Sequence, residues 1–360
     1  MGNFECGTRI ISHKDAASVL KEQKLQRLLI VADPYFAQNG TAQRIGAGSG
    51  AANIRIFDKV QPDPSVTLAA EGTVVVREFQ PDAIVALGGG SAMDCAKAMA
   101  FFSGGNARLI AIPTTSGSGS EVTDFAILTH EQVKYPLVDS KLRPDVAILD
   151  DSLLQKLPSS LVADCGFDIL SHALEAVAAT NAGAITDALA KEAFCRAFSL
   201  LPASFAGDTA VRLAIHEASA MAGIAFSQAG LGICHALAHS LGGEFHVPHG
   251  RLNAILLPAV IATNAEKAKQ KYGAIARAAG IGTGADTMAV RNLRSGLIRL
   301  RRQLKMPQTL TQAGVELRLL RQKQDKILAA ALADPCCATN PEPVTKSLLQ
   351  SVLEEVSGFA

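Results

Sequence analysis

Five short runs in the first 150 residues, LLIVAD (28–33), IRIF (54–57), AIVALGGG (83–90), RLIAIPTT (108–115) and VAILD (146–150), are nearly all-apolar where a half-solvated strand would alternate. A strand reads this way when both of its faces are covered, which is the condition of a parallel sheet wrapped by crossover helices. Helix-compatible stretches at about 35–46, 65–80 and 91–103 separate the runs, and SAMDCAKAMAFF places Met93, Ala96 and Ala100 on one face. The expectation is a Rossmann-like, doubly wound α/β domain over residues 1–150. Beyond it the strand signal disappears. An Ala- and Leu-rich helical pattern, broken at Pro158, Pro202, Pro248, Pro258, Pro307 and Pro335, predicts an all-α domain over residues 151–360.

Composition narrows the partners. Lys and Arg number 34 against 33 Asp and Glu, so no chain-wide field exists for gripping a polyanion, and nucleic acid is excluded as a partner. The Arg-rich segment 291–305 lacks interleaved aromatics and reads as a solvated helix face. The N-terminus has no apolar run of the kind a secretion signal needs, and no stretch approaches the roughly 18 apolar residues of a membrane span. The expectation is a cytoplasmic chain with no membrane partner. Seven scattered Cys fit reduced thiols, with Cys234 as a small buried filler.

Three glycine-rich stretches compete for a phosphate. GAGSG (46–50) precedes a strand and does not complete the dinucleotide fingerprint, so it reads as a flexible connection. GGGS (88–91) ends an apolar run and opens a helix, where backbone N–H groups and the positive helix end can face a pyrophosphate. Ser91 would cap that helix, with Asp94 completing a capping-box-like arrangement. TTSGSGSEVT (114–123) supplies a second hydroxyl-rich loop at the same carboxyl edge, where ligands of open α/β sheets bind. Asp33 ends the first run at that edge. It either accepts from an adenosine ribose, favouring NAD over NADP, or caps the next helix. Lys134, after a short hairpin-like segment 124–134, could offset pyrophosphate charge.

The chain has only eight His, yet His235, His239, His246 and His249 fall within fifteen positions, where random placement would put about 0.3. Asp168 and His172 are four apart in FDILSHALEA, and His235 and His239 repeat that spacing in CHALAHSLGG, so each pair leaves one helix face a turn apart. His249 returns after a Pro- and Gly-bearing bend. An Asp with three His suits a borderline divalent ion, Fe(II) or Zn(II), with a position open for substrate. Five candidates exceed four ligands. His239, on the face of His235, suits a proton relay. His13, His130, His216 and His246 receive no chemistry.

With these motifs in hand, the chain resembles the iron-containing (group III) alcohol dehydrogenases. The shared stretches are GGGSAMDCAKA (88–98), IPTTSGSGSEVT (112–123), KYPLVDSKLRPDVAILD (134–150), the segment from Pro158 through Asp168, His172 and Glu175, GLGICHALAHSLGGEFHVPHGRLNAILLP (230–258) and TNP (339–341). MAGIAFSQAGLG (221–232) is most similar to the branch serving propanediol and ethanolamine utilisation. The resemblance implies metal ligation by Asp168, His172, His235 and His249, with His239 near the substrate. It implies NAD contacts from Asp33, Gly89, Gly90, Ser91, Asp94, Thr114, Thr115, Ser118, Thr123 and Lys134. It also implies an active site in the cleft between an α/β and a helical domain, a homodimer, and a possible setting inside a bacterial microcompartment, although neither end shows a separate targeting segment. Three departures stand out: a shortened turn between Thr129 and Lys134, Arg251 in place of an apolar residue, and Asp63 at a position often held by Asn.

The activity this implies is reversible hydride transfer between NAD(H) and a small primary alcohol or aldehyde, with Fe2+ (Zn2+ possible) polarising the substrate oxygen. Rival readings are a zinc polyol dehydrogenase, a dehydroquinate-synthase-like enzyme on the same architecture, and a catalytically silent scaffold with a structural metal.

Overall fold

The computed structural model describes residues 4–131 and 133–358. The chain forms two compact units, one spanning Glu5–Lys156 and the other taking in the chain from Leu157 onward. The break falls a few residues past 150 because the 3-10 turn Asp151–Leu154 still belongs to the sheet unit, where Leu153 packs against its core.

The sheet unit runs β1 (Arg9–Ser12), α1 (Ala16–Glu22), β2 (Arg27–Ala32), α2 (Pro34–Gln38), α3 (Thr41–Gly48), β3 (Asn53–Phe57), α4 (Val66–Phe79), β4 (Ala83–Gly88), α5 (Gly90–Ser103), β5 (Arg108–Pro113), β6 (Phe125–His130), β7 (Val133–Val138) and β8 (Val146–Leu149). Six strands form one sheet in the order β1-β8-β5-β4-β2-β3, every pairing parallel. Leu28, Ile30 and Ala32 point into the core beneath α1 and α3, while Leu29 and Val31 join Val76, Met93 and Met99 of α4 and α5 on the other face. Each buried Leu or Ile stabilises by about 1.5–3 kcal/mol, so both helical layers are needed to cover these strands. That is why these runs do not alternate; the IRIF run differs, because β3 is an edge strand on which Ile54 and Arg55 are exposed and only Phe57 is buried.

Three details depart from the expected pattern. β1 carries no apolar run because it is an edge strand with an exposed first half. The GAGSG stretch is no flexible connection: its first three residues close α3 against α1, and a Cβ on Gly48 would approach that of Ala17 to 2.7 Å. Lys134 lies within the hairpin, in β7 opposite Thr129 of β6, and does not follow it. The hairpin tip includes Gln132, so the shortened turn lies partly outside the described residues.

The helical unit consists of α6 (Ser159–Ala178), α7 (Ala184–Phe205), α8 (Arg212–Ala229), α9 (Ile233–Phe245), α10 (His249–Ala278), α11 (Asp286–Gln303), α12 (Leu317–Ala333) and α13 (Lys346–Ser357). No single described helix is long and apolar enough to cross a membrane. Two prolines expected to break helices do not. Pro202 lies inside α7 and Pro258 inside α10. A proline leaves the carbonyl four residues earlier without its helical donor, and Arg301 supplies the replacement: its Nη1 donates to Ala254 O at 2.8 Å and Ile255 O at 3.1 Å. Arg294 likewise donates to Pro258 O at 3.1 Å. The Arg-rich segment is therefore only partly a solvated face, since Arg301 is buried and bonds to the helix that begins at His249.

Candidate metal and dinucleotide sites

Going outward from β2, the chain adds β3 on one side; after returning to β4 it adds β5 on the other. The switch point therefore lies between β2 and β4, and ligands of such sheets bind there, beyond the carboxyl ends. Ala32 pairs with Leu87, which places Asp33 beside Gly88. Asp33 caps α2 through Oδ1, accepting from Phe36 N at 3.2 Å, so its capping role is realised, and burial raises its carboxyl pKa. Its Oδ2 lies beside Gly88. That glycine has φ 153, and a Cβ there would meet the Ala92 Cβ at 2.6 Å and Asp33 Oδ2 at 3.1 Å. Only glycine permits this approach.

The expected cap at Ser91 is absent: α5 begins at Gly90, its N-cap is Gly89, and no side chain caps it. The helix end is thus left to its backbone N–H groups, the arrangement an anion uses. A Cβ on Gly89 would lie 3.2 Å from Thr115 Oγ1 and one on Gly90 3.5 Å from Ser118 Oγ, so the two glycine- and hydroxyl-bearing loops are in contact. Thr114 N donates to Gly88 O at 3.0 Å. Asp33, Gly89, Gly90, Thr114, Thr115 and Ser118 are brought together at one edge.

Asp94, Thr123 and Lys134 each have a partner within the sheet unit. Asp94 forms no capping box: it accepts from Ser120 Oγ at 3.2 Å, and burial, with Lys97 opposing, raises it to about 6. Thr123 Oγ1 accepts from Lys97 at 3.0 Å. Lys134 pairs with Asp63 at 2.6 Å. Lys97, which sequence reasoning passed over, is buried beneath the second loop and donates to Ser120 Oγ, Thr123 O, Thr123 Oγ1 and Phe125 O at 2.8–3.1 Å. Burial pushes its ammonium down to about 8. It builds the loop from below.

In the helical unit, α6 presents Asp168 and His172, α9 presents His235 and His239, and α10 starts at His249. Three imidazoles converge on one oxygen. Asp168 Oδ1 lies 3.4 Å from His249 Nε2, 3.8 Å from His235 Nε2 and 3.9 Å from His172 Nε2. Ligands about 2.0–2.2 Å from a tetrahedral ion stand about 3.4 Å apart, so this donor set fits a divalent cation with slight contraction. Donor atoms of Asp168, His235 and His249 all lie within 4.8 Å of one another. His172 is at the margin, its ring stacked between Phe226 (4.3 Å) and His235 (4.5 Å). Burial alone would raise the Asp168 carboxyl, yet the imidazoles of His172, His249 and His235 outweigh it and hold it well below the ordinary carboxylate range.

Several residues that hold this set carry no metal-ligand signature. Glu175 Oε2 lies 2.5 Å from His235 Nδ1, and its Oε1 accepts from Cys234 N at 2.7 Å. One buried carboxylate thus caps α9 and orients the imidazole, leaving His235 Nε2 for an ion. Burial opposes charge on His235, but Asp168 and Glu175 prevail and push it up to about 9. Asn253, buried and one turn past His249, directs Nδ2 at Asp168 Oδ1 (2.9 Å), His249 Nε2 (3.1 Å) and His235 Nε2 (3.3 Å). Asn340 of TNP accepts from Ile233 N at 3.3 Å at the start of α9. Glu175 stands at i+3 from His172 and Asn253 at i+4 from His249, and those spacings were the available signal.

Arg251 has a protein partner across the helix interface. It pairs with Asp164 through two bonds, Nε to Oδ1 at 3.2 Å and Nη2 to Oδ2 at 2.9 Å, tying α10 to α6 one turn before Asp168. The helices approach closely here, since a Cβ on Gly250 would reach Asp164 O at 2.0 Å. His239 sits apart from the three donors. Its Nδ1 lies 2.8 Å from Asp334 Oδ2 and its ring stacks on His249 at 5.2 Å. Burial would raise Asp334, but His239 and the Cys336 contacts bring it down to about 2. Cys234 is fully buried, as expected of a filler, and all seven Cys are free.

A doubly wound sheet with an uncapped glycine turn at its switch point, followed in the same chain by a buried Asp–His donor set, defines a metal-dependent, dinucleotide-using oxidoreductase. Residues 7–151 match the iron-containing alcohol dehydrogenase description and residues 162–357 the C-terminal part of the Fe-containing alcohol dehydrogenase family. The chain is 38% identical over 369 residues to 1-propanol dehydrogenase PduQ of Citrobacter freundii, covering 99% of this chain and 100% of that one. It is 36% identical to the NADPH-dependent butanol dehydrogenase of Clostridium saccharobutylicum, covering 84% and 83%. Sulfoacetaldehyde reductase from Bifidobacterium kashiwanohense, solved with NAD+, superposes with a TM-score of 0.90 at 25% identity over 100% of both chains. The chain belongs to the iron-containing alcohol dehydrogenase family.

Proposed function

We propose that this enzyme interconverts small primary alcohols, propanol or ethanol, and their aldehydes, using NAD(H) and Fe2+. The observation that carries the reading is the convergence of three imidazole Nε2 atoms on Asp168 Oδ1 within 3.4–3.9 Å. Asp168, His172, His235 and His249 would hold the ion. A divalent ion held by this set supplies Lewis-acid polarisation of an alcohol or carbonyl oxygen. Glu175 keeps His235 in the tautomer that exposes Nε2, and Asn253 and the Arg251–Asp164 pair keep α10 in register with α6. His239, held through Nδ1 by Asp334, retains Nε2 for exchanging a proton with substrate. At the sheet edge, the N–H groups opening α5 and the hydroxyls of Thr114, Thr115 and Ser118 would bind the pyrophosphate. Asp33 Oδ2 would accept from the ribose and repel a 2′-phosphate, which favours NAD.

The homodimer and a propanediol-utilisation setting, including microcompartment residence, belong to the same proposal and rest on likeness to the propanol dehydrogenase. A panel of C2–C4 aldehydes and glycerol, run with NADH and NADPH on iron- and zinc-reconstituted protein, tests the reading. It predicts fastest turnover of propanal or acetaldehyde with NADH on the iron form. Preference for glycerol with zinc, or for NADPH, would contradict it.

A further inference from the structure

Among the described residues, a second group of donor atoms stands beside the first. A nitrogen of His239, a carboxylate oxygen of Asp334 and the Cys336 Sγ lie within 4.8 Å of one another, all three residues half-buried. We propose that His239, Asp334 and Cys336 form a second, inhibitory site for a soft divalent cation, Zn2+ or Cd2+, distinct from the Asp168 site.

The geometry is largely in place. His239 Nδ1 and Asp334 Oδ2 are 2.8 Å apart, and two ligands at about 2.0–2.2 Å from an ion stand about 3–3.5 Å apart, so an ion can replace the shared proton with little movement. Asp334 does not need to be recruited. Its Oδ1 accepts from Cys336 N at 2.9 Å as it caps the 3-10 turn Pro335–Thr339, which aims the other oxygen at His239 and carries Cys336 alongside. A thiolate, an imidazole and a carboxylate are a soft-to-borderline set, suited to Zn2+ or Cd2+ over Fe2+, and three protein ligands leave a fourth position for water. Binding releases the Cys336 thiol proton to solvent, and the imidazole proton of His239 moves to Nε2. The inhibition follows because the ion occupies the residue to which the proposed function gives substrate-side proton exchange. That consequence rests on the proposed function; the binding itself does not.

The experiment titrates anaerobic, iron-loaded enzyme with Cd2+ and Zn2+. It follows the sulfur-to-cadmium ultraviolet charge-transfer band, iron retained on the protein, and turnover. The expected result is one Cd2+ per chain with a thiolate band, iron undisturbed and turnover lost. In Cys336→Ser the band disappears, and the zinc concentration that halves each variant's own rate rises on the order of 10-fold or more. Asp334→Asn weakens binding likewise, and Cys337→Ser retains the band. A band that survives Cys336→Ser, or inhibition that tracks stoichiometric iron release, overturns the second site. Full cadmium binding without loss of turnover supports the site and overturns the role given to His239.

Discussion

Both units bury charge, and they do so in opposite ways. The sheet unit carries its own cation: the Lys97 ammonium donates to three oxygens of the second glycine-rich loop and to Phe125 O at the start of β6. The helical unit gathers lone-pair donors instead, three imidazoles around one carboxylate oxygen. A buried charge survives only with partners, so the first arrangement is complete as a support, while the second has the chemistry of a cation's ligand set. Buried polarity is thus a marker of a metal site only when its groups share the same sign of demand.

The sharpest way to break this contrast is to remove the shared acceptor. Asp168→Asn should cost on the order of 10^3-fold or more in kcat/KM, with loss of iron by elemental analysis, because it replaces the charged carboxylate that the imidazoles face by a neutral amide. Unchanged iron content would place the ion elsewhere. Lys97→Met should cost about 3 kcal/mol in denaturant unfolding, since it strips the cation from buried acceptors, and should raise KM for NADH while sparing iron content. Glu175→Gln should lower iron affinity by about 10- to 100-fold through loss of His235 orientation, measured by competition with a chelator.

Glu121 offers a pH test of the sheet unit. Burial raises its carboxyl from 4.5 to about 7, and its Oε1 has no hydrogen-bond partner. The folded state therefore holds this proton more tightly than the unfolded chain, so its contribution to stability falls as pH rises from about 4.5 to about 7. Glu121→Gln should flatten that fall and gain on the order of 1–2 kcal/mol at pH 8 relative to pH 4.5, read from melting curves. Smallest of all, Arg251→Leu should cost about 0.5–1 kcal/mol, because the pair with Asp164 is partly solvated, and should speed iron loss to a chelator only a few-fold.

What the sequence disclosed followed from how many faces an element covers. β2, β4, β5 and β8 are buried on both sides, so their runs are unmistakable, whereas β1 at one sheet edge leaves none and β3 at the other carries its IRIF run with Ile54 and Arg55 exposed. Gly48 was misread because glycine serves close packing as well as turns, and a string does not tell which. The grouping of Asp168, His172, His235 and His249 was legible from their spacing and from the scarcity of His. Their supports were marked only by the spacing of Glu175 and Asn253 on the same helices, and their partners were not legible. Asp334 lies 95 residues from His239, and Glu175 lies 60 from His235, so only folding joins them. Arg301 reads as one more surface arginine until Pro258 is seen to release the carbonyl it binds. Ligand atoms show in local periodicity, and the groups that orient them arise from tertiary contacts.

The most direct test of the central claim is iron stoichiometry in His249→Ala and His239→Ala, prepared anaerobically side by side. The account predicts no retained iron and no turnover in His249→Ala, and about one iron per chain with slowed turnover in His239→Ala. Iron retained in His249→Ala and lost from His239→Ala would contradict it.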